Sequence, residues 1–152
     1  MRYVILMVLV FTLCATSSSS AQSRVMKNET FQATYEKLKA TVQGNSFKFI
    51  GNFVYDSSQR KALDTALNTI FINGNELSGQ TSTLEINDKS IVLNGQISDY
   101  KVDYNDEKQA ISISFLCAQR NFYIDIKANG YTFLAIKSGD DTINQIGSVE
   151  RL

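Results

Sequence analysis

The chain has 152 residues and balances 15 Lys and Arg against 15 Asp and Glu, with no His, no Pro, no Trp and two Cys. That length allows a single domain, and zero formal charge without a Lys/Arg cluster excludes a phosphate-tracking nucleic-acid surface, which needs dense cations to release counterions. The lack of His removes imidazole base chemistry, the Ser-His-Asp and Cys-His mechanisms and most transition-metal sites.

The first segment, residues 1–21, reads as a secretory leader. Arg2 precedes an apolar run from Val4 to Leu13 interrupted only by Thr12, and small, hydroxylated residues follow as far as Ala21. A basic start, a short apolar core and a small-residue exit are the three parts of a signal peptide. The run is too short for a helix across about 30 Å of hydrocarbon, which takes roughly 20 residues, so no membrane span is expected in the mature chain. Ser19 and Ala21 put small side chains at the third and first positions before a cut between Ala21 and Gln22. The expected destination is periplasmic or secreted. The alternative is a lipid anchor on Cys14, against which stands Leu13 where a lipobox wants a small residue. With the leader removed, Cys117 is the only thiol left, so the domain is held by its core rather than by a disulfide.

Residues 22–27 read as a short polar lead-in, and residues 28–152 as one helix-plus-β domain. Asn28 is placed to cap a helix with Glu29 in its first turn, and Phe31, Tyr35, Leu38 and Val42 recur at helical spacing before Gly44. Asn28-Glu29-Thr30 also fits a glycosylation acceptor in a eukaryotic secretory path, but capping is the preferred reading.

From Ser46 the apolar period changes to two. Phe47, Phe49, Phe53 and Tyr55 share a face with Gly51, and Tyr100, Val102 and Tyr104 alternate with Lys101 and Asp103. Ile111, Ile113, Phe115 and Cys117 form a third such row and Phe122, Ile124 and Ile126 a fourth, the pattern of half-buried antiparallel strands. Asn73-Gly74, Asn94-Gly95 and Asn129-Gly130 supply hairpin turns, while Asn105 to Lys108 and Ser138 to Asp141 read as slightly longer ones. Residues 57–67 fit either helical spacing or an irregular crossing. The expected fold is mainly β: an N-terminal α-helix followed by an antiparallel up-and-down meander of 8–9 strands forming a curved sheet or small barrel.

The second half resembles a known family. Leu93-Asn94-Gly95-Gln96-Ile97-Ser98-Asp99-Tyr100, Asn105-Asp106-Glu107-Lys108 and Ile111-Ser112-Ile113-Ser114-Phe115 are similar to its G-x-I-x-D-Y, N-x-K-K and I-x-F stretch. Tyr123-Ile124-Asp125-Ile126 with Asn129-Gly130, then Ile143, Gly147 and Leu152, resembles the end of the same pattern. The family is the domain of unknown function numbered 4251, carried mainly by exported proteins of Bacteroidetes. The likeness runs over roughly residues 31–152. A Leu-Pro-Tyr-x-Gly segment of that pattern has only Leu77-Ser78-Gly79 as its counterpart here. The resemblance implies an exported, mostly β domain with no established activity, and its motifs are turn and core positions.

The residues themselves assign no catalytic, metal or cofactor group. Cys117 shares a face with Ile111, Ile113 and Phe115 and reads as a small buried hydrophobe, with Arg120 the nearest cation in sequence. Asp103, Asp106 and Glu107, and the pair Asp140-Asp141, lack the donor spacing of a calcium loop and read as solvated turns. No Ser-x-x-Lys dyad follows the leader, and Gly74 and Gly79 are spaced for turns rather than for a phosphate cradle. Phe31, Phe47, Phe49, Phe53, Phe71, Phe115, Phe122 and Phe133 are candidates to fill a barrel interior. Tyr55, Tyr100 and Tyr104 carry hydroxyls that need partners and are the candidate ligand contacts.

These features point to a non-catalytic exported envelope module that binds a small apolar or amphipathic ligand or a peptide, with no cofactor. The alternative is a structural or protein-interaction module of the envelope, its partner another envelope protein. A hydrolase working with carboxylates is the third reading, for which Asp99, Asp103 and Tyr100 would be the polar groups to replace.

Overall fold

The computed structural model describes residues 18–84 and 90–152, with side chains from Glu29 onward. Most of the expected leader, Cys14 included, lies outside the described residues. The first element is α1, Ser18–Gln43. No Gly or Pro occurs in this stretch to stop it, so the helix runs back through residues 22–27, where a lead-in was expected, and Asn28 lies inside it rather than at its cap. The expected cut at Ala21 and Gln22 falls within its first two turns. At the other end Gly44 follows the last helical residue, its N–H bonding Ala40 O at 3.2 Å. Asn45, not the glycine, takes the left-handed conformation with φ 48°.

The strands are β1 Ser46–Tyr55, β2 Arg60–Ala62, β3 Thr69–Asn73, β4 Glu76–Ser82, β5 Ser90–Val92, β6 Gly95–Asn105, β7 Ala110–Cys117, β8 Arg120–Ile126, β9 Thr132–Ser138 and β10 Asp141–Arg151. They pair in the order β10-β9-β8-β7-β6-β4-β3-β1, and β1 pairs with β10 from Phe47↔Arg151 to Tyr55↔Asn144. The chain is therefore mostly β: one N-terminal helix and an antiparallel meander closed into an eight-stranded barrel, with β2 and β5 as extra strands on β1 and β4. Residues 57–67, open between helix and irregular crossing in the sequence, fold as β2 and a single 3-10 turn over Thr65–Leu67, capped by Asp64 accepting from the Ala66 N–H at 3.0 Å.

Asn129-Gly130 lies in the β8–β9 turn with φ 85° at Gly130, whereas Asn73 is the last paired residue of β3 and the β3–β4 turn is Gly74-Asn75, with φ 60° at Gly74. Asn94-Gly95 does not make a hairpin. β5 and β6 both run antiparallel to β4, so this pair is a bend in one long strand. Its glycine is explained by packing, since a Cβ at Gly95 would stand 2.9 Å from Cys117 Sγ.

The interior is filled. Phe47, Phe49, Phe115 and Phe122 are buried with Ile70, Ile72, Ile111, Ile113, Ile124, Ile126, Leu134 and Ile136, and Tyr35, Leu38 and Val42 of α1 complete the same cluster. Eight strands enclose a space that side chains of this size occupy. Phe115 and Phe122 stack with centroids 4.8 Å apart.

Four of the phenylalanines expected inside are placed differently. The β1–β10 register shifts between Gly51 and Phe53, and such an extra residue reverses which side chains face inward. Val54 becomes the buried one, and Phe53 and Tyr55 turn to the outer face, where Arg60 covers the Phe53 ring at 3.6 Å. Phe71 and Phe133 alternate out of phase with the buried Ile70 and Ile72 and the buried Leu134 and Ile136, and Phe31 is only half-buried on α1. At the shift, Gly51 and Gly147 stand opposite each other. A Cβ on Gly147 would overlap the Ile50 carbonyl oxygen, so this barrel corner needs a residue without a side chain.

Candidate functional site

Helix α1 lies against one end of the barrel and is tied there by polar contacts. The Tyr35 hydroxyl and Lys39 Nζ both donate to Asp106 Oδ1 at 2.6 Å, and Gln109 Nε2 donates to Gln32 Oε1 at 2.6 Å. Lys39 Nζ also lies 5.6 Å from the Tyr35 ring centroid and 5.7 Å from that of Tyr104. Asp106 is held below the ordinary carboxylate range by its bond from Lys39 and then by that from Tyr35. Burial, and next the bond to Asp106, push the Tyr35 hydroxyl up to about 12. The β6–β7 turn that carries Asp106 is itself fixed by Asn105, whose Oδ1 accepts from the Lys108 N–H at 2.8 Å.

Beside this lock, α1 and the end of β10 leave a half-open groove of about 720 Å³. Leu38 and Val149 give it an apolar floor, Lys37 and Arg151 bring cations to its rim, and Thr41 and Ser148 bring hydroxyls. Glu150, also at the rim, is paired with Lys48 at 3.2 Å. The groove therefore presents an apolar surface with Lys37 and Arg151 at its edge. None of these six stood among the candidate ligand contacts of the sequence reading, in which Leu38 entered as a helix-face residue. The groove joins residues from opposite ends of the chain, and no local pattern signals that.

The three candidate tyrosines do not line this groove. Tyr100 and Tyr104 share the inward side of β6 and pack against the core. Tyr55 is on β1, beyond β4 and β3 in the barrel order. Tyr100 stacks on Phe115 at 6.1 Å, and burial pushes its hydroxyl up to about 12. Its oxygen, with Asn45 Oδ1 and Gln145 Oε1, is buried without a hydrogen-bond partner among the described residues. Gln145 nevertheless donates through Nε2 to Thr81 Oγ1 and, at 3.1 Å, to Ser82 O. It belongs to a polar layer at the barrel's far end, where Asn68 Oδ1 accepts from the Ser82 N–H at 2.6 Å.

Cys117 is buried, and burial pushes its thiol up. Asp99 and Asp103 are exposed on β6, apart from the groove. Asp140 and Asp141 are exposed at the β9–β10 turn. On the outer face of β7 and β8 the Ser112 hydroxyl donates to Asp125 Oδ1 at 2.6 Å, and Lys127 pairs with the same carboxylate at 2.6 Å. Among the described residues no three Cys, Asp or Glu side chains converge as metal ligands, and no helix is long and apolar enough to cross a membrane.

No protein-family model and no curated protein matches the chain. Its architecture does match a solved one, a crystal structure of a DUF4251 family protein from Bacteroides eggerthii DSM 20697. The two superpose with a TM-score of 0.67 over 78% of this chain and 88% of the other, at 16% sequence identity. This chain resembles DUF4251. At that identity what is shared is the fold, and the DUF4251 likeness carries no site chemistry with it.

Proposed function

We propose that this protein is a non-catalytic binding module that is exported to the envelope and takes an amphipathic ligand in the groove between α1 and β10. The observation that carries the reading is the contrast between a barrel interior filled by side chains and an open groove of about 720 Å³ with an apolar floor and cations at its rim. A pocket of that size suits a small molecule or the side chains of a short peptide. The leader-like segment, residues 1–21, supports export to the periplasm or beyond.

Calorimetric titration with dodecanoate and with dodecylamine, each below its micelle concentration, tests the reading. Dodecanoate is expected to bind, Ala40→Trp to abolish binding by filling the groove, and Lys37→Ala with Arg151→Ala to weaken it. Equal binding of both amphiphiles by Ala40→Trp and the unaltered protein would remove the groove from the account. Binding of neither would overturn the small-ligand reading.

A further inference from the structure

From Lys101 to Asn105, beyond a bulge at Asp99 and Tyr100, β6 has β7 on one side and no strand on the other among the described residues. On the β4 side the ladder ends with Gln96↔Glu76 and one more bond, Ile97 N–H to Asn75 O at 2.7 Å. Beyond that point the β3–β4 hairpin has turned back, and β6 runs on alone with β7. The inward residues of this stretch show the same thing. Val102 and Tyr104 pack on the core yet stay half-exposed, with Lys39 of α1 beside the Tyr104 ring at 5.7 Å, while their ladder partners Ile113 and Ile111 are buried; Tyr100, also half-exposed, stacks on the buried Phe115. An open edge presents a row of unpaired N–H and C=O groups, and natural proteins cover or pair such edges.

The sequence along this edge is self-complementary. Tyr100-Lys101-Val102-Asp103-Tyr104 has the same residue type at both ends, Val at its centre and opposite charges flanking the centre. If two copies pair antiparallel about a two-fold axis through Val102, Lys101 of each faces Asp103 of the other, and Tyr100 faces Tyr104. Lys101 and Asp103 are both exposed on the outer face, so both charge pairs form on the same side, while the tyrosine pairs and the central valines cover the half-exposed inner side. Cross-strand opposite charges and aromatic pairs are what stabilise antiparallel ladders, and an isologous two-fold is the commonest symmetry of protein dimers. Any other register in which Lys101 meets Lys101, or Asp103 meets Asp103, places like charges together.

We propose that the free edge of β6 is a homodimerisation surface, occupied by the same strand of a second copy centred on Val102. It is separate from the groove between α1 and β10 and does not depend on that reading.

The test is sedimentation equilibrium of the full chain and of three surface variants, with circular dichroism to confirm folding. The unaltered protein is expected to show a monomer–dimer equilibrium. Lys101→Asp puts Asp opposite Asp103 at two symmetric places, and Asp103→Lys puts Lys opposite Lys101. Each is expected to raise the dimer Kd by about tenfold or more. The double variant Lys101→Asp/Asp103→Lys restores both pairs with their signs exchanged and is expected to recover dimerisation. A monomer at all concentrations, a dimer indifferent to the single reversals, or a double variant no better than the singles would each overturn the proposal.

Discussion

The Tyr35 hydroxyl reaches Asp106 Oδ1 across 2.6 Å, joining α1 to the β6–β7 turn over a sequence separation of 71. Lys39 donates to the same oxygen at 2.6 Å, so one carboxylate anchors the helix that closes the barrel end. Both partners titrate, and both titrations bear on stability.

The alkaline limb follows from the tyrosines. Tyr35 and Tyr100 have folded values of about 12 against an ordinary 10.0. A hydroxyl whose value is raised by folding contributes stability that is complete below the unfolded value and is lost as pH rises through the folded one. The urea midpoint is therefore expected to hold up to pH 10.0 and to fall toward about 12. Tyr35→Phe should lower stability at neutral pH by about 1 kcal/mol through the lost hydrogen bond and, with Tyr100→Phe, flatten the alkaline limb. An unchanged alkaline slope in the double variant would contradict this.

The acid limb follows from Asp106, whose value lies below the ordinary 3.8. Its contribution is present above the unfolded value and is lost as pH falls through the folded one. Because its side chain is 69% exposed, the effect is expected to be small and to shrink with added salt. Asp106→Asn should remove that salt-sensitive part of the acid transition, read by urea unfolding at low and high ionic strength.

The phenylalanines divide into two classes. Phe49 is 0% exposed and Phe71 37%, although both lie in strongly apolar strands. Phe49→Ala is expected to cost about 3–5 kcal/mol, transfer and cavity terms together, and Phe71→Ala under about 1 kcal/mol. Chemical denaturation of both variants checks the inward assignment of each strand.

The glycines divide in the same way. Gly147→Ala drives a Cβ into the Ile50 carbonyl at the barrel corner and is expected to destabilise by about 3 kcal/mol. Gly139 has φ 58° with open space around its missing Cβ, so Gly139→Ala meets conformational strain alone, about 1 kcal/mol. Similar midpoints for the two variants would show that the close approach of β1 and β10 is not rigid.

Cys117 is 2% exposed and its thiol is pushed up by burial. A disulfide reagent is expected to react with it slowly in the native protein and at once in denaturant, because attack requires an accessible thiolate. Fast native labelling would place it at the surface.

The alternation of apolar residues after Ser46, the Asn-Gly turns and the helical spacing of Tyr35, Leu38 and Val42 determined most of the architecture, because periodicity reports which side of an element faces the core and the barrel is built by joining neighbouring strands. That logic holds for β7 and β8, whose inward rows are the ones the alternation names. It fails where a third partner intervenes. A one-residue shift against β10 turns Phe53 and Tyr55 outward, and the shared neighbour β4 makes Asn94-Gly95 a bend instead of a hairpin. Helix-breaking residues mark where α1 ends but nothing local marks its start, so its length back to Ser18 was not legible. The groove between α1 and β10, the Tyr35–Asp106 lock and the open edge of β6 were decided by tertiary structure alone. Each depends on how far the strands are staggered around the closed barrel, and that stagger is a property of all the ladders together rather than of any one segment.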